Sequence, residues 1–465
     1  MSDLSQNKMG TKPMLPLLLS MSLPAMFSML IQALYNVVDS IFVASYSPKA
    51  LTAVSLAFPL QMVSISFAVG TAVGVNSLIA RRLGAKNFKE ANLAAATGLV
   101  LGIANWILFL IIGLTLSGTF IGMFTKDSQV LEYGTGYLSI VLSVSFGMML
   151  GNMGEKILQA TGNMIVPMLS QLTGAIINII FDPLLIFGIG PFPELGVIGA
   201  AIATVFGQIC GMLVILTVLF VKKHAVKITF KGFRLDKQVI KNIYAVGVPA
   251  IIMQSIGSVM VSGINAIIAM AQVAENVINA YINAFGAYFK LQSFIFMPVF
   301  GLVQGTSPII GYNYGARNKK RMYSAFNIAT VIALIIMSVG FLLFQFAPEW
   351  ILGMFASEDA AANEMLLRVG VPTFRTISYS FIFAALGIMF SALFQAIGKG
   401  LYSMIMSFAR QLVILLPVAY LLSQINLDAM WYAFPIAEVA ALIMGFGFFM
   451  HLRSHEFKRL DDDVT

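Results

Sequence analysis

Long apolar runs separated by short polar segments extend from one end of the chain to the other. Twelve runs reach roughly 18 residues or more, enough for a helix to cross a hydrocarbon core about 30 Å thick. The segments between them are too short for a soluble domain. The predicted spans are residues 15–45, 51–80, 91–114, 130–153, 164–187, 195–221, 241–268, 278–312, 322–346, 364–395, 400–422 and 428–451.

Composition supports the same class, because 59% of the residues are hydrophobic and only 10% are charged. A soluble globular domain carries about 25% charged residues. The sequence therefore predicts an all-α polytopic membrane protein with twelve transmembrane helices.

The two halves of the chain share a spaced set of small residues. Gly70, Gly74, Ile79, Gly84 and Ala85 recur 231 positions later as Gly301, Gly305, Ile310, Gly315 and Ala316. Six spans in each half start both repeats on the same side of the membrane, which relates them by an axis along the membrane normal. We therefore predict two six-helix bundles around a central cleft, formed by residues 1–221 and 241–465 and joined by a linker, residues 222–240.

Basic residues accumulate on one side of the predicted membrane. Of the 28 Lys and Arg residues, 22 fall in segments on the side of the N-terminus and three on the opposite side, namely Lys49, Lys126 and Arg368. The positive-inside rule then places both termini in the cytoplasm of a multi-pass cell-membrane protein. Since topology accounts for the net charge of +8, we expect no nucleic-acid partner.

Few ionisable residues fall inside the predicted spans, where each costs several kcal/mol unless it meets water, a partner or an ion. Two of them lie on polar stripes. Gln32, Asn36 and Asp39 are spaced by four and three residues on one helix face, beside Tyr35, and Asn178 and Asp182 are spaced by four. The others are Glu155, Lys290, Arg375, Arg410 and Glu438.

The stripes offer oxygen atoms to a cation. Two carboxylates and nearby amides suit either a hard cation such as Na⁺ or a proton shared between carboxylates, and the Thr204 hydroxyl would add a ligand. The alternative is hydrogen bonding between helices, which we favour for Asn36 or Thr204 taken singly. For Asp39 and Asp182 we favour the cation role, because an unpaired buried carboxylate is costly.

These motifs together resemble the multidrug and toxic compound extrusion (MATE) family over essentially the whole chain. The features are Pro24, Gln32-x-x-x-Asn36-x-x-Asp39, Gly84-Ala85, Gly315-Ala316, Gln159-Ala160-x-Gly162-Asn163, Asn178-x-x-x-Asp182-Pro183, Gln395-Ala396-x-Gly398-Lys399, and Arg410-Gln411 running to Pro417. The resemblance implies alternating access and drug efflux driven by inward flow of Na⁺ or H⁺. It also implies a site for a proton or for a cation such as Na⁺ at Asp39, Asn178, Asp182 and Thr204. Gln32, Tyr35 and Asn36 would form a supporting polar network around it.

One departure from the family concerns the second half. Members of the NorM branch carry acidic residues in their seventh and tenth helices, whereas Ile264 stands where Asp39 has its counterpart and Arg375 is the deepest charge of the tenth span. The resemblance is closer to DinF-like and MepA-like members. We expect coupling through the first half alone.

Several alternatives stay open at this point. Glu438 is interpreted either as a contact for a cationic drug or as the partner of Lys290 or Arg410 in a structural ion pair. The expected partners are small lipophilic cations and membrane lipid, with no cofactor besides the coupling ion, and we expect a monomer. A flippase for a lipid-linked substrate is the alternative transporter. An enzyme is not expected, since His224, His451 and His455 all lie at the predicted inner surface.

Overall fold

The computed structural model describes residues 7–222, 224–353 and 360–460, and all regular secondary structure in these ranges is helical. Ten helices are long and apolar enough to span a membrane, and two bent pairs bring the number to twelve when each pair is counted as one span. The predicted all-α fold with twelve spans is confirmed.

The first half of the structure runs from the N-terminus to Val221. It contains α1 (Lys8–Thr11), α2 (Met14–Tyr46), α3 (Pro48–Gly84), α4 (Phe88–Thr115), α5 (Ser117–Gly122), α6 (Ser128–Ser143), α7 (Phe146–Ala160), α8 (Ile165–Ile186) and α9 (Val197–Val221).

The second half follows a non-helical connection. It contains α10 (Lys237–Ala269), α11 (Glu275–Gly315), α12 (Lys319–Phe346), α13 (Pro348–Gly353), α14 (Ala360–Ser378), α15 (Phe381–Ala396), α16 (Gly400–Phe408), a π-helix (Ala409–Leu415), α17 (Leu416–Ser423), a 3₁₀-helix (Ala429–Tyr432), α18 (Ala433–His455) and a second 3₁₀-helix (Lys458–Leu460).

Two spans that the sequence predicts as continuous helices are bent in the structure. Helices α6 and α7 meet at 42°, and the last part of α14 meets α15 at 48°. Each bend is supported from a neighbouring helix. The Trp106 indole donates to the Ser143 carbonyl at 2.9 Å, and the Gln345 amide donates to the Arg375 carbonyl at 2.8 Å. Backbone groups at a bend in a membrane need such partners, because lipid offers none.

The sequence repeat extends to the turns after α3 and α11. Lys86 and Arg317 both adopt left-handed backbone conformations, with φ of 58° and 55°. The next residues, Asn87 and Asn318, cap α4 and α12 by accepting hydrogen bonds from backbone N–H groups three positions on. The same tight turn is therefore built twice. We call the surface that carries Arg82, Lys86 and Arg317 the basic face.

The repeated glycines lie where the two halves touch, towards the basic face. A Cβ on Gly84 would collide with the Tyr312 carbonyl oxygen, and one on Gly315 would collide with the Arg81 carbonyl oxygen. Because Arg81 and Tyr312 are themselves 231 positions apart, the two contacts are equivalent under the repeat. Small residues let helix backbones approach closely, so α3 and α11 cross without a side chain between them.

A second symmetric pair of contacts lies deeper in the bundle. A Cβ on Gly70 would lie 2.7 Å from the Ile251 backbone nitrogen, and one on Gly301 would collide with the Met26 backbone. Met26 and Ile251 are 225 positions apart, the spacing between Pro24 and its counterpart Pro249. The halves are thus closed against each other towards the basic face by α2, α3, α10 and α11.

Candidate cation-coupling site

Two acidic side chains from α2 and α8 meet inside the first half. The Asp39 and Asp182 carboxyl groups are in hydrogen-bonding contact. Asp182 is completely buried, and the Oδ1 atom of Asp39 is buried without a hydrogen-bond partner. Two charged carboxylates in hydrogen-bonding contact repel each other, so a proton or small cation between them relieves the repulsion.

Asn178 and Thr204 complete the group on α8 and α9. The Asn178 amide is satisfied when its nitrogen donates to Asp182 Oδ2 at 3.1 Å and its oxygen accepts from the Thr204 backbone N–H at 3.3 Å. Both residues are buried. The structure therefore brings together the four residues that the sequence suggested as a cation or proton site, from three helices.

Two further residues lie near the carboxyl pair and were not predicted from the sequence, namely Tyr137 and Gln61. Tyr137 of α6 is buried, is hydrogen-bonded to the Gln61 side chain of α3, and lies near both Asp39 and Asp182. Tyr35, which the sequence placed beside the stripe, also lies near both carboxyl groups. Neither Tyr137 nor Gln61 belongs to a polar stripe, so no periodicity in the sequence marked them.

The remaining members of the α2 stripe lie outside the buried contact. Gln32 and Asn36 are exposed in the structure. They precede Asp39 on the way from the closed end of the bundle. Their side chains give α2 a polar face that leads to Asp39.

The second half has a different arrangement of charge. Arg410, in the π-helix, donates from Nη1 to Glu438 Oε1 at 2.8 Å, and both side chains are largely buried. The structure thus pairs Glu438 with Arg410, one of the two interpretations left open, while Lys290 is exposed on α11. Ile264, the counterpart of Asp39, is fully buried. Within the described ranges, no group of three or more His, Cys, Asp and Glu residues is placed to hold a metal ion.

A duplicated bundle of apolar helices with a carboxyl pair buried in its first half is typical of an integral multi-pass membrane transporter. The MatE family model matches residues 24–184 and 256–421, most of both halves. The chain belongs to this family, the multidrug and toxic compound extrusion transporters.

Similar proteins agree with that assignment. Multidrug export protein MepA from Staphylococcus aureus (strain bovine RF122 / ET3-1) is 24% identical over 92% of this chain and 91% of its own length. MepA from Staphylococcus haemolyticus (strain JCSC1435) is 25% identical over 93% of this chain and 92% of its own.

Solved structures match over nearly the whole chain. A transporter of the MOP superfamily from Pyrococcus furiosus superposes with a TM-score of 0.88 at 27% identity, covering 98% of both chains. An outward-facing conformation of a multidrug resistance MATE family transporter superposes with a TM-score of 0.87 at 29% identity, again covering 98% of both chains.

Proposed function

We propose that this protein exports lipophilic organic cations in exchange for H⁺ or Na⁺ that flows inward. The observation that carries the proposal is the buried contact between Asp39 and Asp182. An acidic pair in a membrane interior is expensive to maintain and marks an ion site by default. The similarity to MepA proteins, which are named multidrug export proteins, supports the substrate class.

The orientation follows from charge. The excess of basic residues on the side of the N-terminus favours a cytoplasmic location for both termini and for the basic face. We propose that the protein lies in the cell membrane and acts as a monomer. The closed contacts of Gly84 and Gly315 then lie on the cytoplasmic side. We therefore propose that this closed cytoplasmic side belongs to an outward-facing state, in which substrate and coupling ion exchange with the outside.

The mechanism couples the ion to helix packing. A cation that reaches Asp39 and Asp182 from outside removes their mutual repulsion, so α2 and α8 pack differently once the ion is bound. We propose that this change lowers the affinity for the organic cation, which then leaves to the outside. Return to the inward-facing state releases the ion into the cytoplasm. The cycle proceeds only if substrate and ion favour different states.

The donor set accommodates either ion. Carboxylate, amide and hydroxyl oxygens are the ligands that hard cations prefer, which favours Na⁺ at Asp39, Asn178, Asp182 and Thr204. The direct contact between two carboxyl groups favours a shared proton. Imposing a Na⁺ gradient and a pH gradient separately distinguishes Na⁺ from H⁺ as the coupling ion.

The test is export of a fluorescent lipophilic cation from proteoliposomes under a Na⁺ gradient and under a pH gradient. Replacement of Asp39 by Asn should abolish gradient-driven export while leaving expression and folding intact, because it removes a charge without changing shape. Glu132→Gln is the matched control, since Glu132 is an exposed carboxylate of the same half. An active Asp39→Asn protein contradicts the proposed site, and export driven by neither gradient contradicts the antiporter.

A further inference from the structure

A third buried carboxyl group lies in the first half, closer to the basic face. Glu155 of α7 is 8% exposed, and its Oε2 accepts a hydrogen bond from the Gln171 amide at 3.0 Å. The Ser170 side chain lies beside this carboxyl group, with its hydroxyl donating to the Gly211 carbonyl at 2.8 Å. The charged neighbour, Lys156, directs its Nζ instead to Gln159 and Gln304, at 2.8 Å each. The Gln171 amide of α8 therefore holds the Glu155 carboxyl group.

The polar face of α8 leads from the carboxyl pair to Glu155. Gln171, Asn178 and Asp182 are separated by seven and four residues, so their side chains point from one face of the helix. At 1.5 Å per residue, Gln171 lies about 16 Å along the helix from Asp182. The distance covers roughly half the thickness of a membrane core.

Helix α9 adds a polar side chain between these ends. Gln208 follows Thr204 by one helical turn. The adjacent Gly207 lies against Gly174 and Asn178 of α8, which places Gln208 beside the part of α8 between Asn178 and Gln171. Gln208 thus lies at a height between Asp182 and Gln171, and Gln171 contacts Glu155.

Three oxygen atoms along this course are buried without a hydrogen-bond partner. They are Asp39 Oδ1, Gln208 Oε1 and Gln171 Oε1. A buried acceptor oxygen without a donor is unfavourable and calls for an explanation, such as a water molecule or an ion. Acceptor oxygens in a row suit a small cation. The glycine contacts between α8 and α9 are too close for an organic molecule.

We propose that Glu155 is a second binding site for the coupling cation, reached from the Asp39–Asp182 pair by way of Gln208 and Gln171. The inference rests on the proposed function, because it takes the pair as the entry site of the ion. The ion then leaves through the interior of the first half towards the basic face. Its course is separate from the cleft between the halves, so a bound organic cation does not block ion release.

The experiment separates ion binding at the pair from ion passage. Binding of tetraphenylphosphonium to the full-length protein in detergent, with and without Na⁺ or at two pH values, reports the pair. Ion-driven export of the same cation from proteoliposomes reports the complete course. We expect Glu155→Gln to keep ion-dependent binding within about twofold and to slow ion-driven export by about tenfold, an effect within the usual range of coupling energies. Glu132→Gln should change neither.

A second variant guards against misfolding. Gln208→Leu keeps all three carboxyl groups and removes an oxygen from the middle of the course, and we expect the same separation of unchanged binding and slower export.

The outcomes are distinct. Ion-dependent binding that survives in Asp39→Asn overturns the proposed function itself. Loss of that dependence in Asp39→Asn, together with wild-type export by Glu155→Gln and Gln208→Leu, overturns only the second site. Loss of ion-dependent binding in Glu155→Gln also overturns it, because the residue then supports the pair structurally.

Discussion

Closure of the basic face depends on glycines that leave no room for a Cβ atom, and Gly305 offers the sharpest test. A Cβ on Gly305 would lie 2.7 Å from both the Cα and the backbone nitrogen of Ser22, on the facing helix. Backbone atoms cannot rotate away as a side chain can. We predict that Gly305→Ala disfavours the closed state and increases the population in which the halves separate at the basic face.

The magnitude follows from comparing the two states. Alanine is a better helix former than glycine by about 0.5–1 kcal/mol, but this gain cancels because α11 is helical in both states. The collision arises only in the closed state, where overpacking costs about 1–3 kcal/mol. The ratio of closed to open molecules should therefore fall by roughly 5-fold to 150-fold.

Distances between spin labels across the basic face measure this ratio. Lys89 and Lys320 are exposed on α4 and α12, one in each half, and can be replaced by Cys for labelling. The single native cysteine, Cys210, is first replaced by Ser. Pulsed electron paramagnetic resonance should show a longer-distance population in Gly305→Ala that is minor in the parent.

The matched control lies on the same helix. A Cβ on Gly286 would meet no atom within 4 Å, so Gly286→Ala adds the same methyl group to α11 without a collision. Gly74→Ala, the repeat counterpart of Gly305→Ala, should act like it, because its Cβ would collide with the Ile243 carbonyl. Equal distance distributions in Gly305→Ala and Gly286→Ala would refute the argument from backbone contact.

Two other predictions concern ion pairs. Glu438→Gln should destabilise the protein by about 3–5 kcal/mol, since it leaves Arg410 without its carboxylate, and replacing both residues by Met should cost less; thermal unfolding in detergent measures the order, and the reverse order contradicts it. The Lys49 ammonium, with backbone N–H groups, lowers the pKa of Asp127, so the stabilisation by this carboxylate is present above its ordinary pKa and lost as the pH falls through the lower folded value. Asp127→Asn should therefore lower the melting temperature at neutral pH but not in strong acid, and a difference that persists in acid speaks against the pair.

The predicted spans agree closely with the helices because lipid imposes a local rule. Every backbone N–H and C=O in a membrane core must be satisfied within its own helix, so an apolar run of sufficient length specifies a helix without reference to the rest of the chain. The bends after Ser143 and Ser378 were missed for the complementary reason. Their support comes from Trp106 and Gln345, on neighbouring helices.

The candidate site was accessible to sequence reasoning only in part. Asp39 and Asp182 were identified because a charge inside an apolar span is conspicuous, and Asn178 because it lies one turn away. Their meeting was a hypothesis from residue type and from resemblance to a family, since Asp39 and Asp182 are 143 residues apart. Tyr137 was not predicted and the role of Glu155 was not defined, because contacts between helices leave no periodic pattern of residues in the sequence.

The sequence by itself determined which segments are helices, that they form two related sets, and that only the first set carries an acidic pair. These properties depend on residue type and spacing along one chain segment. Only the tertiary structure decided that the repeated glycines close the two halves against each other, and that Glu155 faces α8 while Lys156 faces the second half. Such choices depend on the fit between helix surfaces distant in sequence, where a missing Cβ or one hydrogen bond selects the neighbour.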